Sequence, residues 1–112
     1  MKYEFKSSFD KTFKRLELIR KKRVMNAVSL LIDFFDTGKK AKGLGLKHLR
    51  ENFWEVRADI KDRILFTLKE ELVSFVIVGD HDEIKRFLKN LKLLLGFQLA
   101  ITEYKKDIKR LI

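Results

Sequence analysis

A chain of 112 residues can bury one hydrophobic core but not two, so it is read as a single domain over 1–112, and its 46% hydrophobic content is enough to fold it. The absence of cysteine excludes disulfides and Cys-based zinc sites, while 26 Lys and Arg against 16 Asp and Glu, a formal +10, favour an anionic partner: nucleic acid, acidic protein or anionic membrane. No segment reaches the roughly 20 apolar residues of a membrane span, and Lys2, Glu4, Lys6 and Asp10 break up any signal-like run, so a soluble, cytoplasmic protein with no metal or cofactor is expected.

Lys2 to Lys6, with Tyr3 and Phe5 on one face, reads as a first strand. Ser7 and Ser8 then offer an N-cap oxygen to a helix carrying Phe9, Phe13, Leu16 and Ile19 at spacings of three and four. The run Arg20–Arg23 is expected near that helix's end, where cations suit its negative pole. A second helix from about Val24 carries Val24, Val28, Leu31, Phe34 and Phe35 on one stripe and stops at Gly38, which accepts positive φ at no steric cost. GKKAKGLG, from Gly38 to Gly45, is a flexible basic loop leading into Leu46–Arg50, and Lys39 to Arg50 contains no acid. It lacks the GxxxxGK[ST] spacing of a nucleotide cradle, and a cationic flap on a nucleic-acid backbone fits it better.

The stretch from Phe53 to Phe87 organises the rest. Trp54, Val56 and Ala58 alternate with Glu55 and Arg57, and Ile64, Phe66 and Leu68 alternate with Arg63, Leu65 and Thr67, the period of half-buried strands. Trp54, Val56, Ile64 and Phe66 therefore take the core side beneath the two helices, and Glu55, Arg57 and Arg63 share the solvent side. After Gly79, Asp80 and Glu83 have capping-box spacing, and Ile84, Phe87, Leu88, Leu91 and Leu95 form the stripe of a further helix. Gly96 interrupts that pattern. Phe97, Ile101, Tyr104, Ile108 and Leu111 then recur at four, three, four, three, a seam that implies a partner surface: this domain's core, a second copy, or another protein.

Taken in order, LKHL, FWEVRAD, DRILFTL and VGDHDEIKRF resemble the RelE/ParE superfamily of toxins from toxin–antitoxin modules. Trp54, Glu55, Val56 and Arg57 occupy its YRVR-like strand, Arg63, Ile64, Leu65 and Phe66 its RV[IL]Y-like strand, and Gly79, Asp80 and His81 its GHR element. The resemblance covers most of Tyr3 to Phe87. It implies an α+β, RelE-like fold with two N-terminal helices on one face of a small antiparallel sheet, to which 97–112 adds a C-terminal helical extension. In the RelE-like branch, which is favoured, such a toxin is a metal-independent endoribonuclease that cleaves mRNA, usually on the ribosome, inhibits translation and is neutralised by a cognate antitoxin. The ParE-like branch keeps the fold and poisons DNA gyrase, and a non-catalytic nucleic-acid or protein-binding module on the same scaffold is a third reading.

Cleavage of RNA by its own 2′-hydroxyl needs a group to take that proton, cations for the phosphorane and a donor for the departing 5′-oxygen. The resemblance places the phosphate-stabilising arginine at Arg63, with Arg57 as a second cation, Lys47 from the LK.L element, and His81, whose ring N–H can donate a proton, as general acid. His48 and Glu55 are lesser candidates for the base. Lys39, Lys40, Lys42, His48, Arg50 and Lys85 are the expected RNA contacts. Two departures stand out: Lys85 where many such nucleases carry a tyrosine, and Asp80 in place of a basic residue or histidine. Antitoxin contact or self-association is expected through Phe97, Ile101, Tyr104, Ile108 and Leu111.

Overall fold

Period-two apolar runs and three amphipathic helices are arranged, in the computed structural model, as β1 (Lys2–Phe5), α1 (Ser7–Lys14), α2 (Leu18–Thr37), β2 (Lys47–Arg50), β3 (Phe53–Arg57), β4 (Arg63–Lys69), β5 (Leu72–Gly79) and α3 (His81–Leu111). The structure describes the backbone of residues 1–111 and the side chains of residues 1–96. Short turns join β2 to β5 into an antiparallel meander, and β1 closes the five-stranded sheet in the order β1-β5-β4-β3-β2. The expected α+β fold with two N-terminal helices on one face is present. Its sheet is mixed, because β1 runs parallel to β5. No local turn sets that direction: α1, α2 and the whole meander separate the two strands.

Two apolar layers flank the sheet. Phe9 of α1 and Val24, Ala27, Val28 and Leu31 of α2 pack on Val56, Ile64, Phe66, Val73, Phe75 and Val78. On the other side Leu65, Ile77 and Ile84 form a smaller cluster with Leu49, Phe53, Phe87 and Leu88. A bulge makes both layers possible. Residues 75 and 78 would take opposite faces of a regular strand, but β4 and β5 shift register between Leu65 and Phe66, where Phe66 pairs with Phe75 and Leu65 with Ile77. Val76 is the extra residue, so Phe75 and Val78 both reach the main core.

α1 is fastened to this bulge. The Ser8 hydroxyl donates to the Val76 carbonyl at 2.6 Å, and the Thr12 hydroxyl accepts the Val78 N–H at 3.0 Å. Ser8 is therefore bonded to the sheet, and the helix is entered from Lys6 without a side-chain cap. The hydroxyl has a half-buried carbonyl within reach, which satisfies both groups.

The boundary between the first two helices differs from the expectation. α1 ends at Lys14 and α2 begins at Leu18, so Arg20–Arg23 occupy the first turns of α2 rather than the end of α1. Cations are disfavoured at that pole. Tertiary ion pairs compensate: Arg20 grips Asp62 with two bonds of 2.8 and 2.6 Å, and Arg23 meets Asp59 at 2.7 Å. Ile19 is consequently 52% exposed rather than part of the core stripe. At the other end Gly38 has φ 75° and its N–H caps the Phe34 carbonyl, as its position implies.

Tyr3 ties β1 to α2 by donating to the Asp36 carboxylate at 2.8 Å. Burial, then this hydrogen bond, push its pKa from 10.0 up to about 12. A raised folded-state pKa gives stability that is intact below pH 10 and lost as pH climbs from 10 toward 12. Melting temperatures measured across that interval should fall less steeply for Tyr3→Phe than for the parent.

α3 continues through Gly96 without a break, so the expected interruption does not occur. Its apolar stripe is covered as far as Leu91, and beyond the sheet's edge Leu93, Leu94 and Leu95 stand 56%, 62% and 56% exposed. The seam of Phe97, Ile101, Tyr104, Ile108 and Leu111 has a helical backbone, and its side chains lie outside the described residues. No helix among the described residues is long and apolar enough to cross a membrane.

Candidate active site

Strand alternation sends Glu55 and Arg57 of β3 away from α1 and α2, together with Arg63 and Leu65 of β4. This side is not open to solvent throughout, because α3 packs across part of it. Glu55 is therefore only 6% exposed, contrary to a solvent-facing position. The shared face itself is as expected.

The cross-strand register fixes two pairs. Lys47 lies opposite Glu55, and Arg57 lies directly opposite Arg63. Facing arginines repel, which costs stability unless an anion lies between them. Nearby carboxylates relieve them only in part. Asp59 and Asp62 are engaged by Arg23 and Arg20, no ion pair to Arg57 occurs among the described residues, and Arg63 Nε stands 3.7 Å from Glu55 Oε2. That distance exceeds a hydrogen bond. Both atoms are buried and without a hydrogen-bond partner among the described residues, although the Glu55 side chain is only 7% exposed. Buried polar groups are ordinarily satisfied, and an unsatisfied acceptor beside an unsatisfied donor is an arrangement that a ligand can complete.

Around them opens a cleft of about 510 Å³ lined by Gly45, Leu46, Lys47, Glu55, Arg57, Arg63 and His81. Arg63, Arg57, His81 and Lys47, four residues from four different elements, thus line one space. Three fixed cations face one carboxylate, so the cleft favours anions. His81 is there because β5 ends at Gly79 and α3 starts at once. The Glu83 N–H donates to Asp80 Oδ1 at 2.8 Å and the Asp80 N–H to Glu83 Oε1 at 3.2 Å, the expected capping box. Asp80 is thereby held below its usual carboxyl pKa, chiefly by the Glu83 N–H. It serves the helix start and does not line the cleft.

Gly45 is a site residue that the sequence did not single out. With φ 64° it sits against Arg57, where a Cβ would come within 2.9 Å of the Arg57 Cβ. Only glycine lets the end of the basic loop lie so close to β3. Its signal was the glycine spacing in GKKAKGLG, which has no stated meaning until β3 is placed beside it.

The other expected RNA contacts are dispersed. Lys39, Lys40 and Lys42 are exposed along the loop before Gly45. His48 faces the helix side, packs at a tilt against Trp54 with 4.7 Å between ring centres and bonds through Nε2 to the Glu51 carbonyl at 2.8 Å. A bulge between His48 and Arg50 turns Arg50 to the α3 side, where it donates to the Leu88 carbonyl at 2.9 Å. Lys85 is exposed on α3 one turn beyond His81, beside the cleft.

No protein-family profile and no curated protein matches the sequence. Solved structures do match in shape. A chain of the RelB–RelE antitoxin–toxin complex from Methanococcus jannaschii aligns with TM-score 0.57 and 16% identity over 74% of this chain and 95% of its own. A metal-bound toxin from Helicobacter pylori gives 0.58 and 19% over 74% and 97%, and a chain of the DinJ–YafQ complex from E. coli gives 0.53 and 18% over 72% and 93%. These likenesses establish a RelE-like α+β fold. They span nearly all of each of those chains and leave about a quarter of this one outside the shared fold.

Proposed function

We propose that this protein is the toxin of a toxin–antitoxin module and acts as a metal-independent endoribonuclease on mRNA, presented by the ribosome, so inhibiting translation. The observation that carries the reading is the Arg57–Arg63 pair facing across β3 and β4 beside the unpartnered Glu55 oxygen, in a cleft completed by Lys47 and His81. The fold shared with antitoxin-bound structures supports a neutralising antitoxin as partner.

A phosphate between Arg57 and Arg63 relieves their repulsion, and the planar fork of Arg63 suits two of its oxygens. Glu55, acceptor-only when ionised and 3.7 Å from Arg63 Nε, takes the proton of the neighbouring 2′-hydroxyl. The 2′-oxygen attacks phosphorus, charge builds on the oxygens held by the arginines and Lys47, and the bond to the 5′-oxygen breaks as His81 protonates it. The products are a 2′,3′-cyclic phosphate and a 5′-hydroxyl. This mechanism advances Glu55 over His48 as the base, because His48 lies across the sheet from the cleft.

Induced expression should arrest growth, with new 5′-hydroxyl ends in mRNA mapped by sequencing, and co-expression of the neighbouring antitoxin gene should prevent both. Arrest with intact mRNA and a DNA-damage response would instead identify a gyrase-directed toxin, and salt-sensitive RNA binding without arrest a non-catalytic module.

A further inference from the structure

α3 leaves β5 through a single residue, Asp80, and carries His81 in its first turn, whereas Lys47, Glu55, Arg57 and Arg63 stand on β2, β3 and β4. Of these five, His81 alone has its direction set by how a helix lies on the sheet. Resting on the RNA-cleavage reading, we infer that Arg50 is a positioning residue: its bond to the Leu88 carbonyl sets the rotation of α3, and with it the aim of His81 at the departing 5′-oxygen.

Apolar contacts hold α3 down without aiming it. Ile84 and Leu88 pack with Leu49, Leu65 and Ile77, and such contacts are non-directional, so a few degrees of turn about the helix axis meet little resistance. A hydrogen bond depends steeply on angle and adds what they lack. Arg50 Nη2 donates to the Leu88 carbonyl at 2.9 Å, and among the described residues this is the one polar bond between α3 and the sheet. Leu88 lies inside the helix, where its carbonyl already has the N–H of the next turn as a partner. The second lone pair takes Arg50, so the bond ties two elements together and does not repair a helix end.

Stability alone does not account for an arginine here. Arg50 is half-buried, its Nε is buried without a hydrogen-bond partner, and no carboxylate pairs with it among the described residues. An unpaired buried donor is a cost that an apolar side chain would avoid. Contact with the scissile phosphate does not explain the residue either, because it does not line the cleft. The leverage on His81 is large. A side-chain tip rides about 5–6 Å from a helix axis, so a turn of roughly 10° moves it by about 1 Å, a displacement that costs up to about 10²-fold in rate.

RNA with sulfur in place of the departing 5′-oxygen tests this, because a thiolate leaves without the proton that an alkoxide needs. Cleavage of the oxygen and sulfur substrates by the purified protein is timed with and without added ribosomes. Arg50→Met should lower kcat on the oxygen substrate about tenfold with KM within about twofold, and should slow the sulfur substrate less than about twofold. His81→Ala should show the same selectivity, and adding Arg50→Met to it should slow the oxygen substrate less than about a further twofold. Where Arg50→Met fails to fold by circular dichroism, Arg50→Gln, too short to reach the carbonyl, decides by the same comparison. An unchanged kcat, equal losses on both substrates, a loss confined to KM, or losses that multiply in the double variant overturn the positioning role and leave Arg50 a fastening of the fold or an RNA contact. No cleavage by the parent under either condition, or cleavage indifferent to Arg63→Ala, removes the RNA-cleavage reading and the positioning role with it.

Discussion

Arg63→Ala should lower the rate of RNA cleavage by about 10²–10³-fold, the usual effect of deleting one preorganised donor at a developing charge, and should abolish growth arrest. The residue has the attributes such a donor needs. Its backbone is fixed in β4 opposite Gly79 of β5 and Arg57 of β3, its side chain is 21% exposed, and its Nε has no hydrogen-bond partner among the described residues. The variant also leaves Glu55, 6% exposed, without the ion-pair partner 3.7 Å away, so a loss of stability should accompany the loss of activity and the two are to be measured separately. Arg63→Lys keeps the charge but loses the planar fork, so its activity should fall between parent and alanine variant. Single-turnover rates on a defined RNA, with melting temperatures as the folding control, distinguish these outcomes. A cleavage rate unchanged by Arg63→Ala would refute the assignment.

The second large effect is expected on stability. Arg20→Ala leaves Asp62, 2% exposed, without its bidentate partner and should cost about 2–3 kcal/mol, reduced from the full buried-pair penalty because Arg20 is 32% exposed. Melting should drop by roughly 10 °C or more. The pair also positions the site. The Asp62 carbonyl accepts the N–H groups of Ala58 and Asp59, closing the turn from β3 to β4 that ends on Arg63. Arg20 therefore acts on Arg63 through this turn and should reduce cleavage at temperatures where the variant is still folded. Replacing both partners by apolar residues, Arg20→Met with Asp62→Leu, should recover much of the stability. Urea unfolding of the single and double variants checks the first part, and cleavage rates below the melting transition check the second.

Much of this arrangement was legible in the residues. Trp54, Val56, Ile64 and Phe66 on one side and Arg57 and Arg63 on the other follow from a period of two, which admits only two faces. Gly38 and the Asp80–Glu83 cap were equally readable, because their partners lie within four residues in the chain. Arg20–Arg23 shows the opposite case. A cationic run suits a helix end only while nothing else binds it, and Asp59 and Asp62, some forty residues away, decide that it begins a helix instead. Glu55 reads in the sequence as no more than a lesser candidate beside His48, because a solvent-side carboxylate there has no special status. Coverage by α3 gives it burial and an unpartnered oxygen.

The sequence by itself determined the strand alternation, the local caps and the cationic character of one sheet face, since each depends on spacing along the chain. Tertiary structure alone decided that β1 runs parallel to β5, that the bulge at Val76 serves two cores, and that Lys47, Glu55, Arg57, Arg63 and His81 border one cleft. The physical reason is that these depend on distances between segments remote in the chain, which are set by how the two apolar layers close over the sheet.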